Sequence, residues 1–297
     1  MSLINAILEQ LLNGLRTGSI YALIALGYTM VYGIAKMINF AHGDIIMVGG
    51  FVIFTIVSTL GLPPMVGVLA AVIACTVLGV VIERVAYKPL RGASSLAVLI
   101  TAIGVSYLLQ NVALLIFGSN ARQFTSVVNV PSLKLAGGAL SISGVTMVTI
   151  ITCIIIMAAL TTFINKTKVG QAMLAVSEDT GAATLMGINV NSTISFTFAV
   201  GSALAGIGSV LYCCSYPQAT PTMGSMLGLK AFVAAVLGGI GSIPGAMIGG
   251  IAIGLCECFV SAIGLSAWKD AVTFAILIIV LLFKPTGFLG RKVQEKV

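Results

Sequence analysis

Val145-Thr-Met-Val-Thr-Ile-Ile-Thr-Cys-Ile-Ile-Ile-Met-Ala-Ala-Leu-Thr-Thr-Phe-Ile164 contains no Asp, Glu, Lys or Arg. Its length is what a helix needs to cross the hydrocarbon core of a bilayer. Apolar and polar residues do not alternate along it, as they do in a barrel strand with one face to lipid and one to the lumen. Lipid satisfies no backbone N–H or C=O, so a crossing segment that is not a barrel strand must be a helix. The stretch decides the fold class: an all-α integral membrane protein.

The rest of the chain reads the same way. Of 297 residues, 59% are hydrophobic and 8% are charged, where soluble domains carry about 25% charged residues. Mean hydropathy is +1.15. About eight transmembrane helices are expected, at roughly 11–35, 43–61, 65–84, 95–117, 143–165, 193–213, 229–263 and 267–284. The 229–263 stretch is too long for one crossing. It divides near Gly241–Pro244, because Gly238-Gly239-Ile240-Gly241-Ser242-Ile243-Pro244-Gly245 breaks a helix. The last span is the weakest, with Lys269 and Asp270 in its first turn. Residues 1–297 read as a single transmembrane domain. No basic n-region or cleavage site marks a removable leader.

The net charge of +7 is scattered between apolar runs and points to no nucleic acid. Its placement reports orientation. Lys36, Arg84, Lys88, Arg91, Lys166, Lys168, Lys284, Arg291, Lys292 and Lys296 fall on one side. Arg16, Arg122, Lys134, Lys230 and Lys269 fall on the other. The richer side is expected in the cytoplasm, which puts the N-terminus outside and the C-terminus inside. The outer loop Arg122–Gly144 has the composition of a short hairpin. Cys75, Cys153, Cys213, Cys214, Cys256 and Cys258 sit in or beside apolar runs and read as small hydrophobes, with Cys213 and Cys214 near the outer surface.

Lys166–Asn191 is too polar to cross lipid yet carries helix signals. Ser177 is positioned to cap a helix start, with Glu178 and Asp179 in the first turn where the dipole favours acids. Ala182, Ala183, Leu185 and Met186 supply an apolar stripe, and Gly187 suits a left-handed helix end. So short a helix is marginal alone. Its apolar side rests either on its own protein or in a partner's groove.

Gly170-Gln-Ala-Met-Leu-Ala-Val-Ser-Glu-Asp179 and Gly181-Ala-Ala-Thr-Leu-Met-Gly-Ile-Asn-Val190 resemble the cytoplasmic coupling loop of branched-chain amino-acid ABC importer permeases. Gly18–Gly33 resembles the family's first helix. Asn39-Phe-Ala-His-Gly-Asp44 resembles its Asn-Phe-Ala-His-Gly-acid signature, with Asp where Glu is common. Glu83–Arg91 resembles its inner loop, and Lys230–Gly250 its late glycine-rich block. The chain is similar throughout to a LivH-type member of the permease pair, the outer loop Arg122–Gly144 matching least. The resemblance implies that Gly170, Ala172, Ser177, Glu178, Asp179, Ala182, Ala183 and Gly187 form the ATPase-coupling segment, within about 166–191, and it favours docking on a partner.

Asn39, His42 and Asp44 are read near the inner membrane boundary. They either bond backbone groups at a helix junction or line the path or its gate, since ionisable groups at depth face the bundle interior. Glu257 lies well inside a span and pairs with Lys269 or Lys230 or lines the path. Gly241, Gly245 and Gly249, four apart, allow close helix packing or a broken helix whose backbone touches substrate.

No Gly-x-x-x-x-Gly-Lys-[Ser/Thr] occurs, so ATP is not bound through a P-loop here. No nucleophile–base pair or metal cluster is legible, and no catalytic site is expected. The resemblance implies a permease subunit of the bacterial inner membrane with no cofactor of its own. Its implied partners are a second homologous, LivM-like permease, two cytoplasmic ATPases that use ATP, and a periplasmic or lipid-anchored substrate-binding protein. Leucine, isoleucine and valine are the implied substrates. Urea or short amides on the same scaffold, or a stand-alone secondary transporter or channel, are the alternatives.

Overall fold

The computed structural model describes residues 3–127, 130–135 and 140–290. Arg291, Lys292 and Lys296 lie outside the described residues. The chain is helical almost throughout: α1 Leu3–Ala35, α2 His42–Phe54, α3 Pro64–Ile82, α4 Ser95–Phe117, α5 Gly144–Lys166, α6 Lys168–Glu178, α7 Thr180–Leu185, α8 Val190–Ser215, α9 Met223–Gly238, α10 Ile243–Ala262 and α11 Lys269–Phe283. A π-helical turn, Thr55–Thr59, prolongs α2, and another, Glu83–Tyr87, prolongs α3.

Among the described residues, eight helices are long and apolar enough to cross a membrane; α9, at 16 residues, is apolar but shorter. Once 229–263 is divided, the sequence ranges number nine, not eight. Chain ends on opposite sides need an odd number of crossings. Counting α9 with the eight gives nine, an odd number as the expected orientation needs, although the length of α9, about 24 Å, falls short of the hydrocarbon core of about 30 Å.

The small strands sit between the helices. Leu133–Leu135 (β2) and Leu140–Ile142 (β3) form the expected hairpin, antiparallel. Arg122–Gln123 (β1) pairs instead with the distant Gln218–Ala219 (β4).

The residues fall into two compact units. The first comprises 1–29, 130–157 and 230–297. Here α1 and α10 meet backbone to backbone: a Cβ on Gly18 would lie 2.6 Å from Ile251 Cα, and one on Gly250 would strike the backbone of Ala22. Gly245 abuts Gly238, and Gly249 abuts Ala234. Gly241 does not pack: it is exposed in the turn between α9 and α10 at φ +95°, a left-handed conformation glycine adopts without strain. Ser242 then caps α10 by accepting from Gly245 N at 3.2 Å.

The second unit comprises 30–129 and 158–229. In it α2 sits against α3 and α8. Cys75 Sγ donates to Ile45 O at 3.2 Å, and Ser209 Oγ donates to Ile46 O at 2.7 Å. Phe51 stacks on Phe117 with centroids 4.1 Å apart. Cys213 and Cys214 are buried free thiols near the end of α8.

Candidate functional site

Three groupings hold the residues singled out from sequence. The first is the α6–α7 elbow of the second unit. Thr167 caps α6 by accepting from Gly170 N at 3.0 Å, and Gly170 packs on the backbone of Ile164. Met173 and Val176 are buried one turn apart. That packing carries α6 past Ser177, which therefore caps nothing; its hydroxyl donates back to Leu174 O at 2.7 Å. The cap is Asp179, extended at φ −157°, whose carboxylate accepts from Ala182 N at 2.9 Å. The elbow turns there, two residues later than the sequence reading placed it. Nor do the apolar residues of α7 form one stripe: Ala183 is buried, while Leu185 and Met186 are 90% and 82% exposed. Ala172 is half-buried, Glu178 and Ala182 are exposed, and Gly187 closes the elbow at φ +81°.

The second grouping surrounds the start of α2. Asn39, His42 and Asp44 are all buried, but they do not gather on one partner. Asn39 Oδ1 accepts from Tyr87 OH at 2.9 Å, at the end of the α3 extension. Asp44 Oδ1 accepts from Gln110 Nε2 at 3.0 Å, and the same amide reaches Ser106 and Ser225, each at 3.0 Å. Gln110 lies about 22 Å along α4 from Ser95. Asp44 thus lies beside the interior of α4 and not beside its Ser95 end. It stands in the first turn of α2, where the helix dipole favours a carboxylate, and its second oxygen has no hydrogen-bond partner among the described residues.

The third grouping lies in the first unit around Glu257. Lys230 Nζ is 2.8 Å from Glu257 Oε1 and 2.6 Å from Asp270 Oδ1. Tyr21 OH donates to Glu257 Oε2 at 2.8 Å, and Thr273 Oγ1 donates to Oε1 at 3.1 Å. Of the two cations weighed from sequence, Lys230 is the partner. A buried carboxylate needs this much compensation, and Asp270, which weakened the last span on paper, is part of the same ion cluster.

Against known proteins, the sequence model of the family described as "Branched-chain amino acid transport system / permease component" matches residues 10–281. The chain belongs to this family. Among its relatives, the high-affinity branched-chain amino acid transport system permease protein BraD of Pseudomonas aeruginosa is 44% identical over 98% of both chains. The corresponding LivH of Escherichia coli is 45% identical over 98% of this chain and 97% of its own. A chain of PsaBC from Streptococcus pneumoniae, solved in complex with Fab, is similar over 92% of this permease and 91% of its own length, at 15% identity and TM-score 0.51. That likeness speaks to the fold alone.

Several polar partners in this permease went unremarked in the sequence. Gln110 meets Asp44 and in turn Ser106 and Ser225, and Tyr21, Thr273 and Asp270 complete the Glu257 cluster. Glu83 is fully buried and bound by Arg91, with Ser195 Oγ donating to its other oxygen at 2.6 Å. The available signal was composition: an amide in the apolar run of α4, and a carboxylate at the end of α3, each require a partner when buried.

Proposed function

We propose that this chain is one of two permease subunits of an ATP-driven importer carrying leucine, isoleucine and valine into the cell. In this reading the whole chain is one permease domain of a bacterial inner membrane, with its N-terminus outside and C-terminus in the cytoplasm. Its partners are a second, LivM-like permease, two cytoplasmic ATPases and a periplasmic or lipid-anchored binding protein. The substrate follows the printed names of the relatives at 44–45% identity.

The observation that carries the mechanism is the α6–α7 elbow. Gly170, Met173, Val176 and Ala183 seat it on its own unit, while Leu185 and Met186 project from its tip almost fully exposed. Two large apolar side chains outside the spans call for a groove to cover them. An ATPase that grips this tip on binding ATP moves a rigid element attached to α5 on one side and α8 on the other. Asp44, with Asn39 and His42, is the gate in this reading. Glu257, held by Lys230, Tyr21 and Thr273, serves as a lock between helices. A stand-alone transporter would need a carboxylate free to exchange its partner, and the three groups that hold Glu257 argue against that role for it.

The deciding experiment is reconstitution in liposomes. Labelled leucine uptake is expected only when the second permease, ATPases, binding protein and ATP are all present. Uptake by this chain alone would overturn the assignment, and uptake of urea in place of leucine would overturn the substrate.

A further inference from the structure

The inner end of α3 carries two cations that no carboxylate answers. Arg84 and Lys88 lie four residues apart on the π-helical extension and the turn after it. Neither takes part in an ion pair among the described residues. Glu83, the carboxylate beside them, is buried and already bound by Arg91 and Ser195. Facing the cations, α8 begins behind its Asn189 cap, which accepts from Ser192 N at 3.0 Å. Arg84, Lys88, Asn189, Asn191, Ser192 and Ser195 enclose an open cleft of about 360 Å³. Its lining offers two charged donors, two amides and the Ser192 hydroxyl, and no carboxylate; the Ser195 hydroxyl is already committed to Glu83. That inventory suits a phosphate, since charge-assisted bonds to phosphate oxygens are the strongest such a set can form.

What lies above the cleft identifies the carrier of that phosphate. On the same side of α3, Val77, Val81 and Val85 recur every fourth residue and are 57%, 48% and 73% exposed. On α8, Phe196 stands one turn beyond Ser192 and is 41% exposed. A polar cleft with an apolar rail running away from it along the spans has the shape of an amphiphile. A free phosphate would leave the rail uncovered, and so would an acidic protein segment seated in the cleft.

We propose that this cleft binds the phosphate of an anionic phospholipid of the cytoplasmic leaflet, its acyl chains lying along Val77, Val81 and Val85. The cleft joins elements that matter for transmission. Glu83 with Ser195, and Arg91 with Asn191, tie the end of α3 to the start of α8, and α8 follows directly on the α6–α7 elbow. A lipid seated there braces the helix into which the elbow feeds. The inference rests on the cytoplasmic placement of this loop, which labelling of Leu185→Cys with an impermeant thiol reagent reads separately.

The test uses the assembled importer with its partner subunits, in nanodiscs of phosphatidylcholine alone or mixed with phosphatidylglycerol. Native mass spectrometry counts the phosphatidylglycerol retained. Wild type is expected to retain it. Arg84→Gln with Lys88→Gln is expected to weaken retention roughly 30-fold, the combined effect of two interfacial cations, with the subunits still assembled. Lys166→Gln with Lys168→Gln should leave retention unchanged, and added inorganic phosphate should not displace the lipid. Equal retention by the Arg84/Lys88 variant overturns the proposal, as does displacement by free phosphate. Loss of the ATPases with lipid retention unchanged also overturns it, and assigns the cleft to an acidic protein segment. Should that variant fail to assemble, Val85→Ser keeps both cations and must still shed the lipid; full retention there equally sinks the idea.

Discussion

Lys230 Nζ stands 2.8 Å from Glu257 Oε1 and 2.6 Å from Asp270 Oδ1, so one buried cation holds a buried carboxylate and a partly exposed one. Removing one member of a buried pair strands the other, at a cost of about 3–5 kcal/mol. Lys230→Met is therefore expected to lower the thermal stability of the purified complex sharply. Lys230→Met with Glu257→Leu should recover much of that loss, because no Glu257 charge is left stranded. A double variant as unstable as the single one would show that the pair is not what holds these helices.

Asp44 meets Gln110 where a gate reading needs a polar contact inside the membrane. Asp44→Asn keeps the shape and removes the charge-assisted bond, about 1.5–3 kcal/mol. Uptake is expected to fall about tenfold or more while abundance in the membrane holds. Gln110→Ala should do the same. Unchanged leucine uptake coupled normally to ATP hydrolysis would rule Asp44 out as a gate.

Gly250 tests the contact between α1 and α10. A Cβ there would strike the backbone of Ala22, and backbone has no rotamer to yield. Gly250→Leu is expected to abolish assembly, and Gly250→Ala to destabilise by roughly 1–3 kcal/mol. Gly245→Leu should likewise abolish assembly or uptake through its contact with Gly238. By contrast Gly241, exposed in a turn, has φ as its constraint: Gly241→Ala should cost about 1 kcal/mol and spare assembly. Membrane abundance and size-exclusion profiles separate these outcomes.

Leu185 and Met186 should matter only when the ATPases are present. Replacing both with Asp removes about 1.5–3 kcal/mol of burial per side chain from an ATPase contact. The isolated chain should keep its stability, while ATPase co-purification drops and uptake is lost. Glu178→Lys with Ala182→Trp, on exposed positions of the same elbow, should uncouple hydrolysis from uptake. Unaltered co-purification and transport in both variants would remove the elbow from the coupling path.

Much of this was legible one residue at a time. Gly187 at φ +81° fits the left-handed helix end that its sequence position suggests. Lys230 was one of two cations weighed for Glu257. Ser177 failed as a cap for a reason outside its neighbourhood: the burial of Met173 and Val176 extends α6 through it and moves the cap to Asp179. Asn39, His42 and Asp44 read as one cluster because they adjoin in sequence. The connection between α1 and α2 spreads them instead, with Asn39 at Tyr87 and Asp44 at Gln110.

The sequence by itself determined the class of the molecule, because solvent choice is additive: enough uncharged, apolar runs of bilayer length leave lipid as the only environment and helix as the only crossing structure. It also determined which buried groups would need partners. Tertiary structure alone decided which partners they have. Gln110 for Asp44, Lys230 for Glu257 and Arg91 with Ser195 for Glu83 are set by helix register across contacts distant in sequence, where a shift of one residue rotates a side chain about 100° away from its partner.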